Sequence, residues 1–155
     1  MYENNVVFPE VNSGDILVWN DSFKGQSNYG SLIRLFTASD FTHVGIAIRN
    51  GRDIYSAEAN IPKIHVVPVK LSDRLYYIPT PVTHNEDGQN FINRTQGLKY
   101  SYLDAVRSLF GIVNANDDRY QCAEYVVDYM KIYGHDLGKA YTPSRLVRAA
   151  MRHFD

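Results

Sequence analysis

The sequence predicts an α+β fold, a small antiparallel sheet or partial barrel packed by helices. Three observations carry that expectation. The first half holds short alternating apolar runs separated by turn signals. The second half shows helical spacing bracketed by capping residues. The chain has 155 residues, 45% hydrophobic and 21% charged, which suits one ordinary core. One domain over residues 1–155 is therefore expected. The polar stretch 83–96 (THNEDGQNFINRTQ) divides the two halves.

The elements follow in order. Ser13-Gly14-Asp15 is a turn signal, and Ile16 to Trp19 after it reads as a short strand. Asp15 serves best to fix the Gly14 turn. Leu32, Ile33, Leu35 and Phe36 have helical spacing, which predicts a short helix over 31–37. His43 to Arg49 alternates, with Val44, Ile46 and Ile48 on one face and His43, Gly45 and Ala47 on the other. That second face is small enough to accept a helix beside His43. The Asn50-Gly51 turn leads into a strand over 53–59, on which Ile54, Ser56 and Glu58 share a face. Strands over 64–71 and 74–80 follow. Pro68 cannot donate to a ladder and implies an edge or a bulge. In the second half a helix opens near Tyr102, capped by Ser101, with Leu103, Val106 and Phe110 as its stripe. The next helix runs from Cys122 to Tyr133 and ends at Gly134. Thr142-Pro143 starts the last one, with Leu146, Val147, Ala150 and Met151 inward.

Composition excludes several function classes. Disorder is not the main reading. Lys plus Arg number 16 against 17 Asp plus Glu, so no charge excess draws the chain to nucleic acid or an anionic membrane. No run approaches the roughly 18 apolar residues of a membrane span. The N-terminus, Met1-Tyr-Glu-Asn-Asn, lacks the pattern of a secretory signal, so a cytoplasmic location is expected. Secretion or virion association by another route stays open. The single cysteine, Cys122, rules out an intrachain disulfide and a cysteine-rich zinc site. The glycines form no phosphate-binding pattern, and no cofactor or metal is implied.

What remains for Cys122 is a small buried residue, a free thiol or a nucleophile. A lone helix cysteine is more often a core hydrophobe. Its place in the first turn of its predicted helix favours the thiolate, because the helix dipole and unpaired N–H groups favour negative charge. Those N–H groups, including that of Cys122 itself, can stabilise an oxyanion. A nucleophilic thiol also needs a base and an orienting acceptor. His43 begins a strand on a face of tiny neighbours, and Glu58 on the next strand can be brought beside it by a hairpin. The bland alternatives are a hydrogen-bonded structural histidine and a solvated glutamate. His65, His84, His135 and His153 read as surface or structural, and a metal site from His43, Glu58 and His65 is poorly supported by spacing. Tyr76, Tyr77, Tyr125, Tyr129 and Tyr133 read as core and groove walls, as do Trp19 and Tyr29.

Four segments occur in a telling order: Ser13-Gly14-Asp15-Ile16-Leu17, Thr42-His43-Val44-Gly45-Ile46, Ala57-Glu58-Ala59 and Tyr120-Gln121-Cys122-Ala123-Glu124-Tyr125-Val126. Together they resemble the circularly permuted branch of the NlpC-type papain-fold cysteine peptidases, the YiiX-like proteins. The run Tyr141 to Ser144 resembles the group's C-terminal element. The likeness spans about residues 13–147. It implies Cys122 as nucleophile, His43 as general base and Glu58 as third member, with the base preceding the nucleophile in sequence. It also implies the nucleophile helix packed on the sheet, with Tyr120 or Gln121 shaping the site or donating to the oxyanion.

The leading expectation is a thiol hydrolase, a cysteine peptidase or amidase, acting on an amide bond through a thioester. The resemblance implies peptides of cell-wall type as substrate. A second reading keeps the chemistry but takes a lipid amide or ester, as in relatives resembling lecithin:retinol acyltransferase. The absence of a hydrophobic anchor weighs against it. A third is a non-enzymatic binding or structural module, such as a component of a phage particle.

Overall fold

The computed structural model describes residues 10–19, 41, 43–60, 63–69, 75–97 and 118–155, with the side chains of 60 and 118–121 left aside. Five strands precede three helices among the described residues: β1 (Ile16–Trp19), β2 (His43–Asn50), β3 (Asp53–Asn60), β4 (Lys63–Pro68), β5 (Leu75–Ile78), α1 (Glu86–Thr95), α2 (Asp118–Ile132) and α3 (Pro143–His153). The architecture is α+β. The helices expected over 31–37 and from Tyr102 lie outside the described residues, as does Tyr29.

The strands form one antiparallel sheet in the order β4-β3-β2-β1-β5. β2 and β3 pair as a hairpin in which Asn50 faces Asp53. The loop is therefore Gly51-Arg52, one residue beyond the expected Asn50-Gly51. Pro68 ends the edge strand β4, where its missing N–H costs no ladder bond. β4 and β5 are both shorter than the alternation suggested, stopping at Pro68 and Ile78.

Alternation sorts the strand residues onto two faces. Ile16, Val18, Val44, Ile46, Ala57, Ala59, Tyr76 and Ile78 bury against the helices. Leu17, Ala47, Ile54, Leu75 and Tyr77 form a second, smaller cluster on the other face, with Trp19 against it. The Gly45–Ala47 face is thus not where the helices dock, contrary to expectation. α2 packs on the larger residues of β2 and β3. Gly45 has a different reason to be small: a Cβ there would stand on the Ser56 hydroxyl, with Glu58 Cβ 3.4 Å away. The small face makes room for β3 side chains rather than for a helix.

Each helix has a local cause. α1 occupies the polar stretch that reads as a divider in the sequence. Asn85 caps it, accepting from the backbone N–H groups of Asp87 and Gly88, and Glu86 and Asp87 complement the helix dipole. The helix buries only Gly88, Ile92 and Thr95. His84, just before it, lies 2.6 Å from the Tyr129 hydroxyl, and Thr95 contacts the Tyr125 hydroxyl at 3.1 Å. These contacts tie α1 to α2. α2 ends at Ile132, and Gly134 follows at φ 79° as a helix stop. Thr142 caps α3, its hydroxyl accepting from Arg145 N–H at 3.2 Å, with Pro143 in the first turn. Leu146, Val147 and Ala150 are fully buried, and Met151 packs against the core edge.

The Ser13-Gly14-Asp15 turn is built as expected. The Asp15 carboxylate, 2% exposed, accepts from Asn12 N–H at 2.8 Å and Thr80 N–H at 2.9 Å. It thereby ties the entry of β1 to the exit of β5. No helix among the described residues is long and apolar enough to cross a membrane.

Candidate active site

Three elements each bring one of the expected residues to a common place. α2 carries Cys122, β2 opens on His43, and β3 carries Glu58. Cys122 and His43 are hydrogen-bonded side chain to side chain. His43 Nε2 lies 3.0 Å from Glu58 Oε2. Its N–H is not aligned on that oxygen as a good hydrogen bond requires, so the contact is a close ion pair. The Trp19 ring sits beside His43 with centroids 5.1 Å apart, tilted by 45°. Trp19 is the direct β1 partner of His43 in the sheet register.

Glu58 is held from three directions. Ser56 Oγ donates to Oε2 at 2.7 Å, and His65 Nε2 lies 3.2 Å from Oε1. The cause is register. Ser56 and Glu58 share a face of β3, and His65 is the direct cross-strand partner of Glu58 on β4. Neither Ser56 nor His65 stood among the expected site residues. The signal for both was present in the period-two pattern around the β3–β4 turn, which sets 56, 58 and 65 on one side of the sheet.

Burial and pairing decide the charges. Burial pulls the His43 imidazole toward the neutral form. The hydrogen bond to Cys122, the close contact with Glu58 and the negative charges of both outweigh it, and the pKa is pushed up to about 10. Glu58 is the mirror case. Burial raises its pKa, but the His43 contact and charge, then Ser56 and His65, hold it below the ordinary carboxylate value. The site accordingly stabilises an imidazolium set between two groups that carry or can carry negative charge.

One expectation about Cys122 changes. α2 begins at Asp118, four residues earlier than predicted, so Cys122 lies in the second turn. Its backbone N–H then falls within the helical ladder, and the unpaired N–H groups lie ahead of it, at 118–120. Tyr120 and Gln121 have their backbones in that first turn, and their side chains lie outside the described residues. Cys122 itself is 1% exposed and packs with Ala123, Val126 and the β2 and β3 core residues.

The remaining histidines make other contacts: His84 meets Tyr129, and His135 Nδ1 lies 3.1 Å from His153 Nε2. His43, Glu58 and His65 are brought together more closely than their spacing suggests. The two imidazoles nevertheless address the two different oxygens of one carboxylate. Among the described residues no group of three or more His, Cys, Asp or Glu is arranged to hold a metal ion. The tyrosines serve as core: Tyr76, Tyr77, Tyr125 and Tyr129 are buried, and Tyr133 packs against the cluster.

No family model and no curated protein matches the chain. One similar solved structure is that of the metalloprotein YiiX from Escherichia coli O157:H7, 20% identical. The match covers 82% of this chain and 69% of that one, at a TM-score of 0.49. A likeness this distant assigns neither a metal nor an activity to this chain.

Proposed function

We propose that the chain is a thiol hydrolase, a cysteine peptidase or amidase, with Cys122 as nucleophile, His43 as its proton partner and Glu58 as the anchor of His43. The observation that carries the reading is the hydrogen bond between Cys122 and His43, with Glu58 3.0 Å from Nε2 of the same ring. Three residues from three elements meet there in the order thiol, imidazole, carboxylate. A core cysteine requires no such arrangement.

The chemistry follows from the charges. In the attack step the thiol proton passes to His43 and Cys122 reacts as thiolate. The sulfur attacks the amide carbonyl carbon, and the carbonyl oxygen takes the electron pair as an oxyanion. The N–H groups at the start of α2 are the nearest backbone donors of the nucleophile helix for that charge. As the intermediate collapses the C–N bond breaks, and His43 gives its proton to the departing amine. A thioester remains on Cys122. Neutral His43 then takes a proton from water, the hydroxide displaces the thiolate, and the free acid leaves. Glu58 stays ionised throughout and stabilises the imidazolium in each half-reaction. Peptides of cell-wall type are the substrate class that the sequence resemblance implies.

Alkylation of Cys122 by iodoacetamide, followed by a turnover assay, tests the reading; burial slows the labelling, so it is run to completion by mass. Alkylation is expected to abolish hydrolysis of a screened amide substrate, and the same activity is expected to be lost in folded Cys122→Ala. Full turnover by the alkylated protein or by folded Cys122→Ala sinks the reading.

A further inference from the structure

We propose that His65 is a positioning residue for this site: it fixes the Glu58 carboxylate so that Oε2 stays on His43. The inference rests on the thiol-hydrolase reading above and extends it by one residue.

The two oxygens of Glu58 have separate duties. Oε2 takes the Ser56 hydroxyl at 2.7 Å and faces His43 at 3.0 Å. Oε1 meets only His65 Nε2, at 3.2 Å, among the described contacts. An ionised carboxylate can only accept, so His65 donates here and carries its proton on Nε2. The last torsion of a glutamate is broad, and a carboxylate held at one oxygen can still turn about it. Holding Oε1 as well sets the plane, and with it the direction that Oε2 presents to His43.

The position of His65 supports a role beyond packing. It sits on edge strand β4 with its side chain 28% exposed. Its neighbours Ile64 and Val66 pack with the helix-side core, so His65 faces away from that core. The cross-strand register with Glu58 is direct, with no slack between the two backbones. Of the titratable groups around Glu58, His43 comes from β2 and His65 from β4, and Cys122 of α2 meets Glu58 through His43.

The test follows His43 itself, in the full chain with isotope-labelled histidine, by NMR titration. Wild type is compared with His65→Phe, His65→Asn and His65→Gln. Phe keeps a ring without a donor. Gln presents an amide N–H at about the reach of Nε2, and Asn carries the same amide too short. The His43 midpoint is expected to fall by about one pH unit in the Phe and Asn variants and to stay near wild type in Gln. Thermal melts on the same samples show whether each variant is folded, and a general loosening would not be rescued by Gln alone. Folded Phe and Asn variants whose His43 midpoint is unchanged or raised overturn the proposal. Turnover by folded Cys122→Ala distinguishes the failure of the underlying reading. Full hydrolysis there removes the catalytic purpose of His65 and overturns the proposal by that separate route.

Discussion

Replacing Glu58 by Gln is the most informative single change, because it removes one charge and little shape. Wild-type His43 is pushed from 6.5 to about 10, against burial, by Cys122 and Glu58 together. One opposite charge within 4–6 Å is worth about one to three pH units, and each unit is about 1.4 kcal/mol. Glu58 at 3.0 Å, with its side chain 8% exposed and that of His43 23% exposed, lies inside that distance and is little screened. Glu58→Gln is therefore expected to lower the His43 midpoint by about one to three pH units, a loss of roughly 1.4–4 kcal/mol of preference for the imidazolium. Histidine NMR titration measures it directly, with His43 assigned by substitution.

The same change has a signed effect on stability. The folded-state pKa of His43 is raised, so its contribution is whole below 6.5 and is lost as pH rises through about 10. The folded-state pKa of Glu58 is lowered, so its contribution is whole above 4.5 and is lost as pH falls through its folded value. The stability gap between wild type and Glu58→Gln is therefore widest between about 4.5 and 6.5 and narrows toward pH 10. Urea denaturation at several pH values reads it. A His43 midpoint in Glu58→Gln equal to wild type, or a gap independent of pH, refutes the electrostatic account of the site.

Two further changes test how the sheet builds the site. Gly45→Ala places a Cβ on the Ser56 hydroxyl and breaks its 2.7 Å bond to Glu58; a loss of about 1–3 kcal/mol in denaturation is expected, mostly recovered by adding Ser56→Ala, which removes the clashing oxygen. Asp15→Ala strands the N–H groups of Asn12 and Thr80; a loss of roughly 2–4 kcal/mol is expected, with faster amide exchange at Thr80 than in wild type.

The parts of this fold that are legible in the sequence are those with local causes. β1 to β3 follow from alternation, α3 from its Thr-Pro start, and the Asp15 turn from Ser-Gly-Asp. α1 is hidden because it buries so little: Ile92 and the half-buried Phe91 are its large core contacts, and its polar residues read as a divider between the two halves. Its Asn85 cap with two acidic residues behind it was the usable signal. The start of α2 was legible: Asn116-Asp117-Asp118 is a capping and first-turn pattern in the sequence, and placing the start at Cys122 passed over it. The docking face went the wrong way for a different reason. A run of small residues says that something comes close, but only the register of the neighbouring strand says that it is Ser56 and Glu58. His65 was lost to the same omission, since its partnership with Glu58 is a cross-strand fact and not a spacing along the chain.

The ring of His43 is the joint of the arrangement. By strand alternation the Glu58 side chain belongs to the face away from the helices, whereas Cys122 belongs to the helix-side core. His43 is the first residue of β2, at the end of the sheet, and its ring touches Trp19 and Glu58 of the sheet and Cys122 of the helix. A charge placed at such a joint is costly to bury alone and stable when paired. Shifting α2 against the sheet would therefore change the partners of His43 before it opened the apolar core, and the imidazolium makes the mutual placement of helix and sheet depend on charge as well as on packing. A carboxylate fixed on the sheet keeps the ring in place whatever happens at the sulfur, which is what the cycle proposed above would require of it.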